Sequence, residues 1–358
     1  MTTARVLHVA SGREWRGGQR QVLLLARGLA AEPGIASLVV TGRGTRLAHE
    51  LTTAGVTLLE TPWRLGLDPR ALARVVRMAT PETILHAHDG HAHALADAAA
   101  QITGARVVVS RRISTPITAP RRYRRAAAVI ALSEAIAAQV AAAGVPAHRT
   151  HRVPPAVDLA RLDPPPPWPT GLQQPDPASR WITVIAALTP EKGVDLLLEA
   201  AALVARELPA VRWLVLGDGS ERASLEARRH RLGLDDVVAM PGHLTGPEGA
   251  LVGAELAVQP SRQEGFGSSV LDALALGVPV VATAVGGLPD ALALGGGVLV
   301  PAGDPVALAE TVVALLADAP RRDALGAAGR AAATRFGVER LVERTLAVYR
   351  SLDLHPGD

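Results

Sequence analysis

Leu256-Ala257-Val258-Gln259-Pro260-Ser261-Arg262-Gln263-Glu264-Gly265-Phe266-Gly267-Ser268-Ser269-Val270-Leu271-Asp272 reads as a strand, a glycine-spaced turn and the first turn of a helix. The apolar run before Pro260 lacks polar alternation, as expected of a strand covered on both faces. Serines at the helix head leave first-turn N–H groups available to a pyrophosphate, and the helix dipole favours that charge. Glu264 lies in the turn and Asp272 eight residues later, one turn into the helix. One carboxylate can thus face a sugar and the other a ribose diol. The plainer alternative is a helix capped by Ser268 beside a solvated Glu264.

Outward from this segment the same rhythm repeats. Strand-like runs at Ile182 to Ala186, Val211 to Leu216, Val237 to Met240, Pro279 to Ala282 and Val298 to Val300 alternate with helical patterns. The first half shows it too, at Val6 to Val9, Leu38 to Val40, Ile84 to His86, Val107 to Val109 and Val129 to Leu132. Alternation of buried strands with helices predicts an α/β fold of two doubly wound, Rossmann-like domains with an interdomain cleft. Asp163-Pro164-Pro165-Pro166-Pro167-Trp168-Pro169 interrupts the rhythm and predicts a stiff linker. The expected division is an acceptor-binding domain over 1–165, a Pro-rich linker over 166–180 and a nucleotide-sugar domain over 181–336. A last helix over 337–358 is expected to pack back on the first domain.

At 358 residues and 48 % hydrophobic composition the chain can bury two cores. No run approaches the roughly 20 apolar residues of a membrane span, and no signal-peptide pattern opens the chain, so a cytoplasmic protein is expected. The absence of cysteine excludes disulfides, thiol nucleophiles and Cys-based zinc sites. Up to Pro165 there are 21 Arg against 11 Asp and Glu, a balance of +10; the remainder, with 15 Arg and one Lys against 23 acids, balances at −7. A basic first half suits an anionic partner, a phosphorylated acceptor or the inner membrane face, although scattered solvated arginines would look similar. The runs Arg111-Arg112 and Arg121-Arg122-Tyr123-Arg124-Arg125 bring the first reading level with the second, and the scarcity of interleaved aromatics speaks against nucleic acid.

Four further features carry chemistry. Trp15-Arg16-Gly17-Gly18-Gln19 follows the first strand and opens a helix, where glycines let backbone N–H groups approach a phosphate; a tight turn is the simpler alternative. Lys192 is the only lysine among 37 basic residues, so Pro190-Glu191-Lys192-Gly193 points to a site that needs a compact ammonium, such as a diphosphate oxygen. Gly217-Asp218-Gly219-Ser220-Glu221-Arg222 lacks the third glycine of a dinucleotide fingerprint, which disfavours a nicotinamide dehydrogenase. His86-Ala87-His88-Asp89-Gly90-His91-Ala92-His93 ends a strand; substrate handling ranks first for its histidines, a structural role second and metal binding third.

Together these segments, with Gly286-Gly287-Leu288-Pro289-Asp290, resemble the retaining glycosyltransferases of the GT-B fold, family 4 (glycosyl transferases group 1), over nearly the whole chain. The resemblance implies a glycosyltransferase with a nucleotide-diphosphate sugar as donor and no metal or other cofactor. It implies a place in cell-envelope, lipopolysaccharide or other glycan synthesis, with a glycan, lipid or phosphorylated acceptor. By resemblance, His88, Glu264 and Lys192 are catalytic. Gly17, Gly18, Gly217, Gly267, Ser268, Ser269 and Asp272 join Lys192 in holding the donor. Arg16, Arg111, Arg112, Arg121 and Arg122 face the acceptor or an anionic surface. The chain departs from the family pattern at Ala187, where an arginine is usual, at Pro155-Ala156 in place of Asn-Gly, and at Asp272 in place of Glu. Arg16, Arg111 or Arg262 is then needed to replace the missing cation. A sugar-nucleotide epimerase, a sugar-phosphate synthase and an inactive nucleotide-sugar-binding relative are the alternatives.

Overall fold

The computed structural model describes residues 4–63, 66–174 and 180–352. By internal contacts the chain forms two compact units: one runs up to Ala156 and resumes at Val338, and the other is Val157–Gly337. The N-terminal unit is built on β1 (Ala4–Ala10), β2 (Ile35–Gly42), β3 (Leu58–Thr61), β4 (Ile84–Ala87), β5 (Arg106–Arg111), β6 (Ala128–Ala131) and β7 (Thr150–Arg152). They form one parallel sheet in the order β3-β2-β1-β4-β5-β6-β7. The second unit carries β8 (Arg180–Ile185), β9 (Val211–Leu216), β10 (Val238–Gly242), β11 (Leu256–Gln259), β12 (Val280–Thr283) and β13 (Gly297–Val300). Its order is β10-β9-β8-β11-β12-β13, again parallel. Both sheets are doubly wound, as expected. Each reverses its strand order once, between β1 and β4 in the first and between β8 and β11 in the second. Such a reversal leaves a crevice beyond the carboxyl ends of the two strands, because their connections depart to opposite sides.

Local chemistry sets the helix ends. Asp89 caps the helix Gly90–Thr103 by accepting from Ala92 N, and Gly104 closes it with a left-handed φ of 73°. Asp68 and Asp304 cap helices that begin with Pro69 and Pro305, where the missing N–H costs nothing. The expected strands are all present. Two more, β3 and β7, flank the first sheet; β7 is Thr-His-Arg and carries no apolar run for a sequence pattern to reveal.

The stretch expected to be a linker is not one. The chain leaves the first unit at Ala156, ahead of the proline run that starts at Pro164, and returns at Val338; Val157 N donates to the Phe336 carbonyl at 2.8 Å within the second unit. Trp168 and Leu172 pack beside Leu214, Leu216 and Ala250, and Trp168 Nε1 donates to the Leu172 carbonyl at 2.9 Å. The prolines therefore lie along the second unit's own core, because an apolar Trp and Leu beside them have a sheet to cover. Residues 175–179 of that stretch lie outside the described ones, as does the tail of the final segment expected over 337–358.

That final segment folds as the helix Val338–Ser351. Its Leu341, Val342, Leu346, Val348 and Tyr349 join Val6, Leu24, Leu25, Leu29 and Ile130 in the core of the N-terminal unit. Gly28, on the helix Gly17–Ala30, admits the close approach, since a Cβ there would overlap Val342. Leu346→Ala should therefore lower stability by about 2–4 kcal/mol, the usual cost of a large-to-small core change. Urea unfolding followed by circular dichroism would show it as an earlier transition.

Candidate active site

In the second unit, the loops after β8 and β11 meet at the strand reversal. Lys192 sits in the turn Pro190–Lys192, after which Gly193 takes a φ of 65°. A Cβ at Gly193 would overlap the Pro260 carbonyl, so only glycine lets the two loops touch. Arg262 N and Gln263 N both donate to the Glu191 carbonyl, at 2.8 and 3.1 Å, tying one loop to the other. Arg262 adds a two-pronged ion pair with Asp195, at 2.6 and 2.8 Å. This hydrogen-bonded pair holds the Asp195 carboxyl below its usual range. Arg262 is therefore already engaged and is not the free cation expected to replace the one missing at Ala187.

Within this frame the Lys192 ammonium donates to Glu264 Oε2 at 2.7 Å, with the two side chains 22 % and 11 % exposed. Ser261 Oγ and Gln259 Nε2 approach the same oxygen at 3.3 and 3.4 Å. Gly265 N donates to Glu264 Oε1 at 3.1 Å, and Ser269 Oγ to Gln259 Oε1 at 3.1 Å. Glu264 is thus an anchored carboxylate, not a solvated one. The Glu264 carbonyl occupies the place a Cβ would take at Gly286, whose φ is 55°, and accepts from Gly287 N at 3.3 Å. Helix Ser268–Leu276 starts after Gly267, at φ 92°, and no side chain caps it; Ser268 does not act as the cap. Val270 N and Leu271 N in its opening turns donate to the Gly267 carbonyl at 3.1 and 3.2 Å. Asp272 is buried at 5 % exposure on the same helix. Gly217 and Gly219 lie where Cβ atoms would overlap the Ala186 and Leu188 carbonyls, so they serve the approach of two loops in the same unit.

In the N-terminal unit, the reversal between β1 and β4 gathers a different set. His8 stands beside His86 in register across the two strands, and His88 follows β4. His8 Nδ1 lies 2.9 Å from His88 Nε2, and Arg112 Nη2 lies 3.0 Å from His88 Nδ1. His86 Nδ1 bonds the Tyr349 hydroxyl at 2.6 Å and its Nε2 the Ser110 hydroxyl at 2.8 Å. Both ring nitrogens of His88 are spent inside the protein. Arg112 Nη1 also donates to the Gly18 carbonyl at 3.0 Å, and Asp89 takes hydrogen bonds from Ser11 N, at 2.7 Å, and the Ser11 hydroxyl. Burial, reinforced by the Arg112 charge, lowers His8 to about 3. Burial and the neighbouring imidazoles and Arg112 push His86 and His88 well below their ordinary value, and burial lowers Arg112 itself to about 10. Sequence reading missed His8 and Tyr349. A histidine inside the apolar run Val6 to Val9 was the available signal; nothing local marked Tyr349.

The remaining arginines divide. Arg16 pairs with Glu14 at 2.6 Å on the surface, beside Gly17 at the helix start. Arg111 is buried and turned inward, donating to the Thr115 carbonyl and stacking its guanidinium over Tyr123 at 5.9 Å, so it does not present a surface charge as expected. Arg121 and Arg122 are exposed on the short helix Pro120–Arg125, which Tyr123 and an Arg125–Asp97 ion pair hold to the unit. No helix among the described residues is long and apolar enough to cross a membrane.

Two doubly wound sheets, one with an ammonium, a carboxylate and an uncapped helix at its strand reversal, define the GT-B class of glycosyltransferase. The description "Glycosyltransferase Family 4" matches residues 15–161 and "Glycosyl transferases group 1" residues 173–332. The chain belongs to family 4 of the glycosyltransferases. It is 39 % identical over 186 residues to the D-inositol 3-phosphate glycosyltransferase of Segniliparus rotundus, covering 49 % of this chain and 41 % of that one. It is 32 % identical over 187 residues to the lipopolysaccharide core biosynthesis mannosyltransferase LpsB of Rhizobium meliloti, covering 49 % and 53 %. The chain thus matches about half the length of these curated relatives. Among solved structures, Anabaena Alr3699/HepE in complex with UDP and glucose shares the fold at a TM-score of 0.81 and 19 % identity, over 97 % of this chain and 100 % of that one.

Two expectations follow from the geometry. Gly286→Ala forces a Cβ into the Glu264 carbonyl at a positive φ, and should cost about 1–3 kcal/mol while displacing Glu264; thermal unfolding and donor affinity should fall together. The buried imidazoles stay neutral in the folded chain but take up protons once unfolded below about pH 6.5, so stability falls as pH drops. Each contributes about 1.4 kcal/mol per pH unit below that point. Urea unfolding between pH 7 and 5 should show the slope, and His8→Phe should reduce it by one imidazole's share.

Proposed function

We propose that the chain transfers a glycosyl group from a nucleotide-diphosphate sugar to an acceptor with retention of configuration. The observation that carries this reading is the 2.7 Å contact of Lys192 with Glu264 beside the uncapped helix Ser268–Leu276. As the glycosidic bond breaks, the sugar becomes oxocarbenium-like and the nucleotide diphosphate leaves with added negative charge. An ammonium and first-turn N–H groups fixed in advance stabilise that charge without reorganising. In this reading Lys192 turns from Glu264 to a diphosphate oxygen, and Glu264 accepts from the donor sugar's hydroxyls. Asp272 holds the ribose, and the acceptor attacks from the face the diphosphate leaves.

The named relatives support an acceptor of the phosphorylated polyol or envelope-glycan kind, and the exposed Arg121 and Arg122 suit an anionic partner or lipid surface. UDP and glucose bound by the Anabaena structure support a nucleotide-sugar donor.

A thermal-shift screen against UDP-, GDP-, ADP- and dTDP-sugars should single out one donor, since stabilisation follows occupancy. With that donor, Lys192→Ala should lower kcat about 10²–10³-fold, the usual loss for a group that meets transition-state charge. Release of nucleotide diphosphate should require the acceptor. Unchanged turnover in Lys192→Ala and Glu264→Gln would remove the reading, and an epimerised donor without acceptor would replace it with a sugar-nucleotide epimerase.

A further inference from the structure

The chain contains two phenylalanines in 358 residues, and the fold brings them together. Phe266 and Phe336 meet edge to face, with ring centroids 5.6 Å apart and an interplanar angle of 67°. Both are buried. An aliphatic pair would fill similar space; two rings add a preferred orientation, because the edge of one is drawn to the face of the other. Phe266 belongs to the turn that carries Glu264. Its neighbours Gly265 and Gly267 have no side chains with which to pack, and the Glu264 carboxylate is turned to Lys192. Phe266 is therefore the only apolar side chain by which residues 264–267 grip the rest of the unit, at a place where glycines leave the backbone otherwise free to move.

Phe336 ends the short turn Thr334–Phe336, one residue before Gly337. Its carbonyl accepts from Val157 N at 2.8 Å, and Val157 and Gly337 form an isolated parallel bridge. These are the residues at which the chain enters and leaves the second unit. On the other side of the entry point, in the N-terminal unit, the Gln21 side chain holds Ala156 by both backbone groups: Nε2 donates to its carbonyl at 2.6 Å and Oε1 accepts from its N–H at 2.7 Å. Just past Val157, the short helix Leu159–Leu162 lies against helix Ser268–Leu276. Within the second unit, the turn of Glu264 and the bridge at Val157 are thus joined through one ring contact and one hydrogen bond.

We propose that Phe336 is a positioning residue for the transfer reaction: through Phe266 it fixes the turn of Glu264 and the helix start behind it, and it links that turn to the bridge at Val157. The inference rests on the reading in which this turn and helix meet the donor. A donor diphosphate that orders the turn then also orders the bridge, and by reciprocity a loosened bridge weakens donor binding. The contact is short and apolar, so it acts through position alone. A displacement of about 1 Å at such a turn is enough to cost up to about 10²-fold in rate.

The test uses the full chain with UDP, GDP, ADP and dTDP as probes, reading affinity by calorimetry and amide exchange by NMR. The diphosphate that binds tightest should slow exchange of the Val157 amide in the wild type. Phe336→Leu and Phe266→Leu should each lower its affinity about tenfold, and the double variant should lose no more than either alone, as for residues acting through one contact. At saturating diphosphate the slowing at Val157 should be lost in Phe266→Leu. Leu315→Ala, a core change on the helix Pro305–Ala317 of the same unit, should lower stability yet hold affinity within about twofold, which separates positioning from a general loss of core. Should Phe336→Leu not fold, the wild-type exchange and Phe266→Leu carry the same comparison. Additive losses in the double variant, a loss in Leu315→Ala equal to that in Phe336→Leu, or a Val157 amide indifferent to bound diphosphate overturns the proposal. Lys192→Ala reports on the donor reading separately: affinity lost there but kept in Phe336→Leu sinks this inference alone, whereas a chain that binds none of the four probes sinks both.

Discussion

Because β8 and β11 are neighbours in the second sheet, the loops that follow them must run side by side, and everything at Lys192 and Glu264 depends on how closely they can run. The contact is backbone against backbone. Gly193 lies on the Pro260 carbonyl and Gly286 on the Glu264 carbonyl, and two amides of the second loop share the Glu191 carbonyl. Side chains held on such a frame lose little further freedom when they pair, so the Lys192–Glu264 contact is set before any ligand arrives. The Arg262–Asp195 pair sits outside it as a brace and explains why the loop's arginine is not itself part of the charge offered to a ligand.

The N-terminal unit applies the same strand order to different chemistry. Three imidazoles buried at the strand reversal, two on the sheet and one just beyond it, would be costly as cations, and burial together with Arg112 keeps them neutral. Tyr349 reaches His86 from the last helix of the chain, 263 residues away, so the return of that helix to the first unit completes the cluster as well as the core. Hydrogen bonds spend both ring nitrogens of His86 and of His88, which suits a rigid holder of Arg112 better than a carrier of protons.

The basic excess of the first half also changes meaning once each arginine is located. Arg111 is turned inward against Tyr123, Arg125 answers Asp97 and Arg112 is gripped by His88 and Gly18, whereas Arg121 and Arg122 stay in solvent. Net charge was a poor guide to which residues are free to meet an anion, because burial and pairing act on individual guanidinium groups.

The sequence alone determined the alternation of buried strands and helices, hence two doubly wound sheets, since continuous apolar runs and glycine turns are local features that a parallel sheet requires. It also marked Lys192, Glu264 and the serine-headed helix, each conspicuous in its own segment. What it could not determine was which distant side chains share a hydrogen bond. The pairing of Lys192 with Glu264, the partners of Arg262, the place of His8 and Tyr349 beside His88, and the packing of the proline-rich stretch on a sheet were decided by tertiary structure. These depend on strand neighbours and chain return. Two residues far apart in sequence become partners only when the order of strands brings their ends together, and no local pattern records that order.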